Sequence, residues 1–122
     1  MKLHLTREAG LQLFSGYGPG FVAVNSVRYE TGVVVSPNAV SVWDVREFDA
    51  LTAADFGFMA TLQPEIMILG TGAAQRFLGK DLARALAATG VGVEVMDSRA
   101  ACRTYNILAT EGRRVVAAIL TV

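Results

Sequence analysis

The residues best suited to chemistry lie in two short segments in the second half of the chain. The first is the turn Gly70-Thr71-Gly72, which follows an apolar run at residues 65–69. A glycine turn after a buried strand can offer backbone N–H groups to an anion. A dinucleotide fingerprint would need a third glycine where Gln75 stands, and the Gly-Lys-Ser/Thr of a P-loop is missing. We therefore predict a tight structural turn here and keep an anion site as the alternative.

The second segment begins at Asp97-Ser98, where an apolar run ends and a helix is predicted to start. Either residue can cap that helix, and the same position can present a polar group at the carboxyl end of a sheet, where α/β folds bind ligands. Arg99, Arg103 and Asn106 follow at helical spacing on one face. Two interpretations stay open: a site for an anion or a charged protein partner, and a solvated face paired with nearby acidic side chains.

The residues that usually supply covalent or metal chemistry are scarce. Cys102 shares a helical stripe with Ala101 and Tyr105, which predicts burial in the core rather than a nucleophile. The single histidine, His4, lies at the other end of the sequence. One cysteine and one histidine disfavour an internal disulfide, a metal cage and Cys-His catalysis. We expect no cofactor and no metal, and a protein that is not an enzyme.

Composition excludes several classes of protein. The chain has 122 residues, of which 52% are hydrophobic, and 11 Lys and Arg balance 11 Asp and Glu. We expect one globular domain over residues 1–122 that does not bind nucleic acid. The longest apolar run, residues 115–120, is far shorter than the roughly 20 residues of a membrane span. The charged start predicts no signal peptide and a cytoplasmic protein, and the zero net charge leaves a homo-oligomer possible.

The predicted secondary structure that would position these residues changes near residue 50, from short strands to helices that alternate with strands. Before it, short β-rich runs separated by turn residues predict an antiparallel strand meander. These runs cover residues 11–14, 20–24, 27–30, 33–36 and 40–43. After it, Thr52 and Asp55 predict a capped helix over residues 53–62, which Pro64 follows.

The rest of the chain alternates between apolar runs and helical segments. Strands are predicted at residues 65–69, 91–96 and 115–122, and helices at residues 80–89 and 98–111, with Gly90 and Gly112 as their stops. This order predicts a small parallel β-α-β-α-β unit with right-handed crossovers. The fold class is therefore mixed α+β and α/β, an antiparallel meander joined to a parallel unit.

Over almost its whole length the chain resembles the Mth-domain family, long known as a domain of unknown function. The resemblance rests on Gly70-Thr71-Gly72 and, above all, on the block from Glu94 to Arg114. It implies an Mth-like three-layer fold with a central sheet flanked by helices, and it brings no enzymatic activity. One branch of the family acts as a non-catalytic complex I assembly factor, which implies a protein partner such as a respiratory or membrane complex subunit.

Two functional hypotheses follow from these observations. The first is a non-enzymatic protein that binds a partner through Arg99 and Arg103, with Asp97 and Asn106 beside them. The second is a site for a small anionic ligand, or an unrecognised enzyme, at the carboxyl ends of the parallel strands. That site would use the residues of the two segments, Gly70, Thr71, Gly72, Asp97, Ser98 and Arg99.

Overall fold

A computed structural model of the chain describes residues 10–122. His4 and the charged start of the chain lie outside these residues. Eight strands of the described part form a three-stranded and a five-stranded sheet. Their bounds are β1 Phe14–Gly18, β2 Phe21–Val24, β3 Val27–Tyr29, β4 Gly32–Ser36, β5 Ala39–Trp43, β6 Ile66–Gly70, β7 Gly92–Met96 and β8 Val115–Ile119.

The five-stranded sheet contains the predicted parallel unit. Its strand order is β5-β4-β8-β6-β7, and β6 runs parallel to both β7 and β8. Strand β4 pairs antiparallel with β5 on one side and β8 on the other. The alternation of apolar runs and helices therefore predicted this part of the fold correctly.

The predicted meander is divided between the two sheets. Strands β1, β2 and β3 form the small sheet by themselves, whereas β4 and β5 join the central sheet beside β8. The reason lies in β4, where Val33, Val34 and Val35 are all buried. A run that is apolar on both faces is stable only with a layer on each side, and the central sheet provides that position.

The first strand lies further along the chain than predicted. Residues 16–18, which we expected in a turn, pair with β2 through Gly16 opposite Ala23 and Gly18 opposite Phe21. The turn itself falls at Pro19 and Gly20, where Gly20 has a φ of 78°. A Cβ at position 18 would lie 2.6 Å from the ring of Phe21, so a larger residue there would require that ring to move.

Within the described residues, three α-helices accompany the strands: α1 Gly57–Ala60, α2 Lys80–Ala87 and α3 Ser98–Thr110. The helix predicted over residues 53–62 is instead a 3-10 turn, Ala53–Phe56, followed by the short α1, and Gly57 stands where the two meet. The predicted capping contact is present, because the Asp55 carboxylate accepts the Thr52 N–H at 2.8 Å. Gly90 and Gly112 follow α2 and α3 with φ values of 81° and 82°.

The central sheet is covered on both faces, as the three-layer prediction required. On one face, Ile68 and Ala117 pack with Tyr105 of α3 and with the small sheet. On the other, Met67 and Val116 pack with residues from the 3-10 turn, α1 and α2, namely Phe56, Met59 and Leu86. Trp43 belongs to this second layer, and its indole N–H donates to the carbonyl of Asp55 at 3.0 Å.

Candidate functional site

The two predicted segments meet at the carboxyl ends of the parallel strands. Ser98 joins them, because its hydroxyl accepts the Gly72 N–H at 2.8 Å and donates to the carbonyl of Leu120 at 2.5 Å. The Ser98 N–H also donates to the carbonyl of Gly72 at 2.9 Å. Only 1% of Ser98 is exposed. This hydroxyl therefore links the ends of β6 and β8 to the start of α3.

The glycine turn packs closely against that serine. A Cβ on Gly70 would lie 2.8 Å from the Ser98 Oγ, and Gly72 adopts a φ of 103° that favours glycine. The N–H of Thr71 donates to the carbonyl of Met96 at 2.9 Å. The backbone N–H groups of Thr71 and Gly72 are thus engaged inside the protein, and an anion would have to displace those contacts.

The side chain of Thr71 shapes the loop that follows β6. Its hydroxyl donates to the carbonyl of Ala74 at 2.7 Å and accepts the N–H of Arg76 at 3.2 Å. Further along this loop, the Arg76 guanidinium pairs with Asp49 at 2.6 Å. Phe77, the next residue, is 82% exposed. The loop is held at its base and presents an aromatic ring, which nothing in the sequence pattern indicated.

Asp97 caps α3, where the sequence left either Asp97 or Ser98 as the cap. Its Oδ1 accepts the N–H of Ala100 at 3.0 Å. The side chain is half-buried at the same edge of the sheet as the glycine turn. The capping role leaves the second carboxylate oxygen for solvent or a partner.

Arg99 and Arg103 are both exposed on α3. The Arg103 guanidinium donates to the Tyr17 hydroxyl at 3.0 Å, and the Cζ of Arg99 lies 6.0 Å from the centre of the Tyr17 ring. Across residues 10–122, no carboxylate lies within salt-bridge distance of either guanidinium. The structure therefore adds Tyr17 to the predicted pair, and we call these three residues the α3 arginine surface.

Asn106 plays a different part from the two arginines on its stripe. Its side-chain amide accepts the N–H of Phe14 at 2.9 Å and donates to the carbonyl of Phe14 at 2.8 Å. The residue is half-buried between α3 and β1. Asn106 thus fixes the small sheet to the helix and does not extend the exposed arginine surface.

Cys102 lies in the core of the same helix, 1% exposed. Burial raises the pKa of its thiol to about 12, so the group is protonated at neutral pH. Burial also raises the pKa of Tyr105, whose hydroxyl donates to the carbonyl of Gln12 at 2.8 Å. Both side chains serve packing, as the core stripe predicted.

Two further features bear on the kind of site present. The described part of the chain, residues 10–122, contains no group of three His, Cys, Asp or Glu side chains placed to hold a metal ion. None of the helices in that range has the length and apolar character needed to cross a membrane.

The architecture is that of an Mth938-like domain. A Bordetella pertussis protein described by that term has a solution structure with a TM-score of 0.80 and 36% identity, covering 92% of this chain and 87% of its own. A crystal structure of a Bordetella parapertussis protein gives a TM-score of 0.86 at 43% identity, covering 93% of this chain and 98% of its own. The family described as "Protein of unknown function (DUF498/DUF598)" matches residues 14–120, and this chain belongs to it.

A relative with a named role is the bovine NADH dehydrogenase (ubiquinone) 1 alpha subcomplex assembly factor 3. It is 35% identical over 120 residues, which cover 95% of this chain. The matched region spans 65% of the bovine protein, just under two thirds of its length. The resemblance to the Mth-domain family is thereby confirmed, and the relatives of this chain include an assembly factor.

Proposed function

We propose that this chain is a non-enzymatic assembly factor that binds a subunit of a respiratory or other membrane complex through the α3 arginine surface. One observation carries the proposal. Arg99 and Arg103 are exposed one turn apart on α3, and no carboxylate of residues 10–122 pairs with them. Two such guanidinium groups are suited to recognising carboxylates of a partner protein.

The surface is held rigidly, which favours specific recognition. The opposite side of α3 is buried through Ala101, Cys102 and Tyr105. Asp97 caps its start, and the Tyr17 hydroxyl of β1 accepts a hydrogen bond from the Arg103 guanidinium. A charged surface on a fixed helix loses less conformational entropy on binding than one carried by a loop.

An exposed aromatic residue lies in the loop between β6 and α2. Phe77 follows β6 and Arg99 follows β7, and these parallel strands end side by side. Exposed aromatic rings and arginines are enriched where proteins meet. We assign Phe77 to the outer part of the partner contact, with Arg99 and Arg103 as its charged part.

The polar groups beside the glycine turn favour binding over catalysis. The Ser98 hydroxyl and the Gly72 N–H are hydrogen-bonded to each other, and the Cys102 thiol is buried and protonated. A nucleophile needs an accessible, activated atom, and these groups are committed to packing. The alternative of a small anionic ligand in the glycine turn draws less support for the same reason.

The nature of the partner rests on the bovine relative, whose name identifies it as an assembly factor of NADH dehydrogenase. By analogy, the partner of this chain is a subunit with an acidic surface, met in the cytoplasm before it joins its complex. The chain acts in this role as one domain over residues 1–122.

Affinity capture with quantitative mass spectrometry tests the proposal. The tagged chain is compared with Arg99→Glu/Arg103→Glu in extracts of the host, and subunits of NADH dehydrogenase and other membrane complexes are quantified. We expect the double variant to capture at least tenfold less of the subunit than the wild-type chain, because both charged contacts become repulsive.

The matched control is Lys80→Glu/Arg84→Glu, which makes the same change in charge at the same helical spacing on α2. These residues are exposed on α2, which covers the face of the central sheet opposite α3. If the control still captures the subunit and the α3 variant does not, the result supports partner binding through the α3 arginine surface. Equal capture by the α3 variant and the wild-type chain would refute it.

A further inference from the structure

A cavity of about 390 Å³ lies at the edge of the central sheet opposite the glycine turn. It opens where β6 and β8 begin, between the β4–β5 turn and the loop that joins α3 to β8. Cavities of roughly 300–1,000 Å³ are the usual size of small-molecule sites. Neither Arg99 nor Arg103 contributes to it, so it is separate from the α3 arginine surface.

The walls of this cavity are mainly aliphatic. Leu62 and Pro64 lie before β6, and Leu62 is 37% exposed. Its apolar lining residues include Pro37, Leu62, Pro64, Ala109, Val115 and Val116. Such walls favour an alkyl chain over a polar ligand.

Two arginines stand at the mouth of the cavity, and only one is paired with an acid. The Arg113 Nε contacts the Glu65 carboxylate at 3.2 Å, and the same carboxylate accepts the Arg114 N–H at 3.0 Å. The Arg114 Nε donates to the carbonyl of Gln63 at 3.3 Å. Among residues 10–122, the Arg114 guanidinium has no carboxylate partner.

An apolar cavity with one unbalanced guanidinium at its mouth matches one class of small molecule. The Glu65 charge neutralises Arg113, so the mouth carries one net positive charge from Arg114. A guanidinium has five N–H donors, and a carboxylate can accept two of them side by side. We propose that this cavity binds an aliphatic monocarboxylate, a medium-chain fatty acid, with its alkyl chain inside and its carboxylate on Arg114.

Titration of the full chain with decanoate, followed by calorimetry and amide chemical shifts, tests the proposal. We expect saturable 1:1 binding with shifts at Ala39, Ala109 and Val115. Affinity rises about fourfold for each methylene from hexanoate upward until the cavity is filled. Decanol, which has the same chain and no charge, binds at least tenfold more weakly than decanoate.

Two independent variants probe the head group and the chain separately. Arg114→Gln removes the charge at the mouth and lowers decanoate affinity at least tenfold. Ala39→Phe places a ring at the exposed start of β5, where Ala39 lines the cavity, and blocks entry of the chain. Val42→Phe on the same strand is the matched control, because Val42 is 62% exposed and lies outside the cavity.

The outcomes are distinct from those of the partner test. Arg99→Glu/Arg103→Glu should leave decanoate affinity unchanged, so loss of one function does not imply loss of the other. Absence of saturable binding, equal binding of decanol and decanoate, or affinity unchanged in both Arg114→Gln and Ala39→Phe would each overturn the proposal. Circular dichroism of each variant shows that a lost affinity does not reflect unfolding.

Discussion

The side chain of Asn106 pairs with the backbone of Phe14 as a neighbouring strand would. Its amide accepts the Phe14 N–H at 2.9 Å and donates to the Phe14 carbonyl at 2.8 Å. The Phe14 ring then packs edge-on against Tyr105, with 5.3 Å between the ring centres. This contact sets where β1 lies on α3 and thereby places Tyr17 beside Arg99 and Arg103.

Asn106→Ala should destabilise the protein by about 2 kcal/mol, because two half-buried backbone groups of Phe14 lose their partners. Urea unfolding followed by circular dichroism measures the change. Thr110→Ala is the control, since the Thr110 hydroxyl bonds only to carbonyls of its own helix. If Asn106→Ala loses no more unfolding free energy than the control, Asn106 does not fix β1 to α3.

Gly70→Ala should cost about 1–3 kcal/mol of unfolding free energy, because the added Cβ would lie 2.8 Å from the Ser98 Oγ and 2.9 Å from the Ile119 side chain. Thermal unfolding provides the measurement. Gly57→Ala, at a helical position with no atom within 4 Å, should be neutral or slightly stabilising. Equal stability of the two variants would show that the turn is not closely packed on Ser98.

The Cys102 thiol should be inert in the native protein. Burial raises its pKa to about 12, so the reactive thiolate is scarce at pH 8 and the sulfur is inaccessible. Ellman's reagent should react slowly in buffer and promptly in denaturing urea. Complete reaction of the folded chain within seconds would contradict a packing role for this residue.

The stability of the protein should depend on the ionisation of Glu65. The backbone N–H of Arg114, then the guanidinium of Arg113, lower the pKa of Glu65 below its ordinary value of 4.5. A carboxylate with a lowered native pKa stabilises the folded state above pH 4.5, and this contribution is lost as the pH falls through the native pKa.

Urea unfolding of the wild-type chain and Glu65→Gln between pH 7 and pH 3 measures this dependence. The wild-type advantage should be largest near neutral pH and shrink in acid. An advantage that grows as the pH falls would contradict the assigned contacts.

Local signals in the sequence predicted the parallel unit well. Strands β6 and β8 are continuous apolar runs, and Gly90 and Gly112 adopt the positive φ values that end helices. The cap of α3 was correctly expected at Asp97 or Ser98, and Cys102 was correctly expected in the core. Each of these features depends on residues close together in the chain or on simple helical spacing.

The contacts that define the α3 arginine surface depend on distant parts of the chain. Tyr17 and Arg103 are separated by 86 positions, and Phe14 and Asn106 by 92. Helical spacing placed Arg99, Arg103 and Asn106 on one stripe, and it could not show that Asn106 bonds to the backbone of β1 while both arginines stay exposed. The division of the meander likewise follows from which strand fits beside β8, a tertiary property.

Complementation of a host deletion strain tests the central claim most directly. The strain receives the wild-type chain, Arg99→Glu/Arg103→Glu or Lys80→Glu/Arg84→Glu at equal expression, and assembled NADH dehydrogenase is quantified on native gels. The α2 variant should restore assembly to the wild-type level, whereas the α3 variant should leave it at the level of the deletion strain. Full restoration by the α3 variant would contradict the assignment of this surface to partner binding.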